Sequence, residues 1–109
     1  MPMVRRSNEK DPVVDVLREA LAHYEQAYPG AQSEIDRQNP GAVRIRIVDD
    51  RFAQLSRAQR HDDVWGFLTE HVTDRDALGE VSMLLLLTPQ EKSTSLSNAE
   101  FERPTRSMF

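Results

Sequence analysis

The stretch Val43-Arg44-Ile45-Arg46-Ile47-Val48-Asp49-Asp50-Arg51-Phe52 decides the fold. Its first five residues alternate apolar with basic, so as a strand it puts Val43, Ile45 and Ile47 on one face and Arg44 and Arg46 on the other. One face is then buried and one wet. Immediately upstream, Asn39-Pro40-Gly41 is a strong turn signal. Residues 31–38 have lost any helical period and carry moderate strand character, so the two segments read as a β-hairpin. Downstream, Asp49-Asp50-Arg51 is a polar connection, and Phe52 and Leu55 tuck it onto the core.

Helices are predicted on both sides of this hairpin. Asp11 can accept from free backbone N–H groups and Pro12 suits a first helical position. Val13, Val16, Leu17, Ala20, Leu21 and Tyr24 follow at spacings of three and four, and Pro29-Gly30 stops the helix, which spans about residues 12–27. Ser56 with Gln59 has capping-box spacing and opens a second helix. Its inward stripe is expected to be Ala58, His61, Val64, Trp65, Leu68 and Val72. Thr73 with Asp76 suggests a short capped turn ended by Gly79.

Residues 81–87 are apolar on both faces, Val81, Met83, Leu85 and Leu87 on one and Leu84 and Leu86 on the other, as in a strand covered on both sides. The order helix, strand, strand, helix, strand calls for a right-handed crossover that leaves the last two strands parallel. The expected fold is α/β (α+β), a three-stranded mixed sheet with helices packed on one face. Residues 1–10 read as a flexible lead-in, 11–91 as the domain and 92–109 as a disordered tail. Thr88 and Glu91 again have capping-box spacing.

Composition narrows the function. The chain has 109 residues, a net charge of −4 and 39% hydrophobic residues, so bulk charge does not mark a nucleic-acid binder. It has no cysteine, which removes disulfides, thiolate metal sites and cysteine nucleophiles. The polar N-terminus lacks the apolar stretch of a secretory signal, and the longest apolar run, Met83 to Leu87, is far short of a membrane span. A soluble, cytoplasmic protein without membrane partners is expected.

The central block, Arg44 to Phe52 followed by Leu55-Ser56, Arg60-His61, Val64 and Leu68, resembles the BolA family. In that family a strand ends in a short acidic or serine-containing turn. A phenylalanine follows, and a helix opens with Arg-His eight and nine residues after it; Phe52 to Arg60-His61 keeps that spacing. The segment Leu84-Leu85-Leu86-Leu87-Thr88-Pro89-Gln90-Glu91 is similar to the family's last strand and its Thr-Pro-x-Glu ending. The resemblance covers about residues 12–91. It implies a helix-on-sheet fold akin to one class of K-homology domains and a non-catalytic adaptor or regulatory role. It also implies a monothiol glutaredoxin as partner, with a [2Fe–2S] cluster shared between the two. Three positions depart from the pattern. The family's cluster-ligand histidine falls on Glu80 or Ser82, Gly41-Ala42 stands where many members have Ser-His, and Gln54 replaces a glycine.

Other chemistry is thinly represented. Of the three histidines, His61 and His71 are ten residues apart and turned about 80° from each other on a helix. His61 is a weak metal-ligand candidate, and as a structural residue it could hydrogen-bond the turn after the second strand and lock the helix onto the sheet. The pairs Asp49/Asp50 and Asp62/Asp63 lack the Asp-x-Asp-x-Asp-Gly pattern of a calcium loop. With four glycines in all and no G-x-S-x-G elbow, neither a phosphate loop nor a nucleophile motif is present, and an enzyme is not expected.

Two binding surfaces follow from this reading. A protein partner would meet Arg57, Arg60, His61, Trp65 and Glu80, the second-helix face and the loop before it. The alternative is a nucleic-acid-binding module, transcription- or RNA-associated, using Arg44, Arg46, Arg51, Arg57 and Arg60. Against the alternative, the loop matching the K-homology Gly-x-x-Gly grip is Ala53-Gln54-Leu55-Ser56. Glu34 or Asp36 would also pair with Arg44 or Arg46 across the strands.

Overall fold

A computed structural model of the chain describes residues 11–102. The predicted flexible lead-in, 1–10, and the last seven residues of the predicted tail lie outside them. Helix α1, Pro12–Ala27, starts where Asp11 accepts from the Val14 N–H, with Pro12 at the first helical position. It buries Val14, Leu17, Ala20, Leu21 and Tyr24. Strands β1, Gln32–Asn39, and β2, Ala42–Val48, form the antiparallel hairpin. Gly41 has φ +85°, a left-handed conformation that a side chain would strain, so glycine belongs at that turn.

After β2 the chain makes a 3-10 turn over Asp50–Gln54 that drops Phe52 into the core. Helix α2, Arg57–His71, opens on the predicted Ser56/Gln59 capping box. Helix α3, Arg75–Gly79, is capped by Asp74, whose carboxylate accepts from the N–H groups of Asp76 and Ala77. The predicted cap, Thr73, stands one residue too early. Strand β3, Val81–Leu87, pairs in parallel with β2, and the sheet order is β1-β2-β3.

The α+β class, the mixed three-stranded sheet and the element order through β3 agree with the sequence reading. Val43, Ile45, Ile47 and Leu86 face α1 and α2 and form the main core with Phe52, Val64 and Leu68. Val81 belongs to this core and not to the face of Met83. The register shifts between Val43/Val81 and Arg44/Met83, so Ser82 is an extra residue and the alternation of faces slips by one.

Two expectations fail on the other side of the sheet. The chain beyond Leu87 is not a disordered tail from residue 92. Helix α4, Pro89–Thr94, follows the Thr88/Glu91 capping box, and helix α5, Leu96–Glu102, comes after it. The helices therefore do not lie on one face only. Phe101 of α5 packs against Leu85, Leu87 and Met83, closing a second, smaller core and carrying the domain to residue 102. The physical cause is in β3. A strand apolar on both faces cannot leave Leu85 and Leu87 in water without cost, and α5 supplies the cover.

Candidate functional site

Arg60 is the anchor that sets the position of α2. Only 6% of it is exposed. Its guanidinium donates to the carbonyls of Phe52 (2.9 Å), Leu55 (3.2 Å) and Leu86 (3.0 Å) and to both carboxylate oxygens of Glu91. One side chain thus joins the 3-10 turn, β3 and α4, using the fixed fork of donors that arginine carries. The hydrogen bonds from Arg60 and from the Thr88 N–H hold the Glu91 carboxyl below the usual glutamate range. Arg60 is therefore not a docking or nucleic-acid residue. The lock expected of His61 belongs to its neighbour, because α2 enters with position 60 toward the sheet and position 61 toward solvent.

The remaining arginines are reassigned in the same way. Arg44 and Arg46 are 3% and 4% exposed. Arg44 pairs with Asp36 at 2.6 Å and Arg46 with Glu34, the cross-strand partners the register brings opposite them. Helix α5 closes over both. Arg46 donates to Asn98 Oδ1 (2.6 Å) and Glu102 (2.8 Å), Arg44 reaches the carbonyl of Phe101 (3.3 Å), and each guanidinium sits 5.0 Å from the Phe101 ring centroid. The expected wet arginine face is a roofed, charge-paired layer. Arg51 lies over the Tyr28 ring at 3.9 Å and bonds to the Tyr24 hydroxyl and to Asp63 (2.8 Å). Burial pushes the Tyr24 phenol up to about 12, so it stays neutral beside that cation. Of the five arginines offered for nucleic acid, Arg57 is the exposed one.

One outward row of α2 runs at four-residue spacing: Arg57, His61, the half-buried Trp65 and Thr69. His61 is exposed and its ring stacks on the half-buried Trp65, centroids 6.1 Å apart with planes 18° off parallel. The row runs into an open groove of about 610 Å³ between α2 and α3, lined by Trp65, Thr69, Val72, Arg75, Leu78 and Gly79. Trp65 and Phe67 share neither side of the helix. Phe67 meets Tyr24 of α1 edge-on at 5.1 Å, leaving Trp65 with its flank on the groove. Sequence reasoning found His61 and Trp65 but missed the groove, because Val72 and Leu78 join it only when α3 folds back beside α2.

Glu80 is committed elsewhere. Its carboxylate takes Arg37 at 2.6 Å, and Arg37 also pairs with Asp11 at 2.8 Å, tying β1 to the starts of α1 and β3. Ser82 donates its hydroxyl proton to the Val43 carbonyl at 3.3 Å. These are the two positions onto which the resemblance maps an iron–sulfur ligand. Both are oxygen donors already engaged and the chain holds no thiol, so these two positions do not fit the role of a cluster-ligand histidine. Among the described residues no three His, Cys, Asp or Glu side chains converge on a common point, and no helix is long and apolar enough to cross a membrane. No family model matches the chain, nor does any curated protein or solved structure.

Proposed function

We propose that this protein is a non-catalytic, BolA-like adaptor that docks a protein partner through the outer row of α2 and the groove between α2 and α3. The observation that carries the reading is the His61–Trp65 stack at the lip of that groove. An aromatic side chain held half-exposed beside a concavity is the kind of residue on which interface energy concentrates. Val72 and Leu78 supply an apolar floor, and Thr69 and Arg75 a polar rim. The resemblance around Phe52 to His61 supports the family assignment, and the α-β-β-α-β order is consistent with it.

The partner to test first is a monothiol glutaredoxin, the class that the resemblance names. Isotope-labelled protein titrated with the cluster-loaded glutaredoxin should show amide shifts at Arg57, His61, Trp65, Thr69 and Leu78, and Trp65→Ala should weaken the complex at least tenfold. Because Glu80 and Ser82 are engaged, the visible spectrum of the cluster should stay unchanged on mixing. Absence of shifts at high partner concentration removes the glutaredoxin assignment. Shifts that avoid α2 and α3 remove the docking surface.

A further inference from the structure

The structure brings together two histidines that the sequence keeps 48 positions apart, His23 on α1 and His71 on α2, and we infer that they form a binding site for a borderline divalent cation such as Zn²⁺. Their ring centroids are 5.5 Å apart with planes tilted by 31°. Two metal–nitrogen bonds of about 2 Å meeting at a tetrahedral angle put imidazole centroids roughly 5 Å apart, so the observed spacing is already near that of a bis-imidazole site.

Three further features favour a cation there. His71 Nδ1 lies 3.0 Å from the Phe67 carbonyl, and a carbonyl can only accept, so Nδ1 carries the proton and the Nε2 lone pair is left for a ligand. That backbone contact is the outer-shell bond that metal-binding histidines commonly make. The His71 ring is also held in orientation by stacking on Phe67 at 4.0 Å, and Phe67 is in turn braced edge-on against Tyr24 of α1. Finally, His71 is the last residue of α2, where the unpaired carbonyl ends favour positive charge. Both imidazoles are exposed, so the cation has access. Among the described residues no third His, Cys, Asp or Glu joins the pair, so water would complete the shell and the site is an exchangeable one and not a structural zinc centre. Imidazole donors select Zn²⁺, Cu²⁺ or Ni²⁺ over Mg²⁺ and Ca²⁺.

The test is titration of the whole chain with Zn²⁺ alone, followed by calorimetry and by nitrogen-15 spectra of the histidine side chains. One Zn²⁺ should bind per chain, His23→Ala and His71→Ala should each weaken binding at least tenfold, and Mg²⁺ should not compete. In the unsubstituted protein the Nε2 resonance of His71 and one ring nitrogen of His23 should move together while His61 stays still, a readout that needs no variant to fold. Wild-type affinity in either variant, no saturable binding, or shifts confined to His61 would overturn the site.

Discussion

Arg60 and His61 stand next to each other and do opposite things. Position 60 faces the sheet and gathers three backbone carbonyls and Glu91, whereas position 61 faces water. Removing Arg60 leaves those carbonyls unsatisfied in a dry setting, so Arg60→Ala should cost about 3 kcal/mol in urea unfolding. His61→Ala should change stability by no more than about 0.5 kcal/mol, as expected of an exposed position. Equal losses would refute the division of labour. Glu91 adds a pH signature. Its carboxyl is depressed in the folded state, so its contribution is present above the ordinary glutamate pKa of about 4.3 and fades as pH falls through the lower folded value. Acid titration of stability should therefore show a loss below about pH 4 that Glu91→Gln makes shallower. The Arg-His pair was legible in the sequence as a helix opening. Which of the two turns inward depends on the helix phase against the sheet, and that phase is set by Val64 and Leu68 packing on the core.

Helix α5 shows how an element can be missed. Residues 96–102 include only Leu96 and Phe101 as large apolar side chains, and Leu96 is 87% exposed, so no amphipathic stripe announces a helix. Its stability comes from outside. Phe101 caps Leu85 and Leu87, while Asn98 and Glu102 take the Arg46 guanidinium. Short helices of this kind hold their shape by tertiary packing and not by propensity. Phe101→Ala should destabilise the fold by about 3 kcal/mol and raise binding of an apolar dye as Leu85 and Leu87 become wet. An unaltered unfolding curve would mean that α5 is not the roof of that face. The hairpin gives a second test. Gly41 needs its left-handed backbone, yet nothing lies within 4 Å of where a Cβ would stand, so Gly41→Ala should cost about 1–2 kcal/mol from the backbone alone.

Across the whole molecule the arginines that suggested a nucleic-acid face are mostly spent on holding layers together. Arg44 and Arg46 fasten β1 and α5 to β2, Arg60 fastens α2 to β3 and α4, and Arg51 joins the 3-10 turn to α1 and α2. With a net charge of −4 and those cations paired, the protein should show no salt-dependent binding to short RNA or DNA at low ionic strength. Fluorescence anisotropy that rises at low salt and collapses as salt is added would reverse that expectation. The α2 row with its groove and, on the α1 side, the His23–His71 pair are not spent in this way.

Local chemistry was readable from the residues themselves. The Asp11 cap, both capping boxes, the turn before Gly41, the alternation in β2 and the doubly apolar β3 each depend on neighbours a few positions away, and the chain displays those neighbours directly. Tertiary packing alone decided what covers the second face of the sheet, which arginines reach water, and which histidines meet. Those outcomes turn on helix phase, on a one-residue slip at Ser82 and on contacts between residues up to 57 positions apart, as in Arg44 reaching Phe101, and no short-range pattern encodes them.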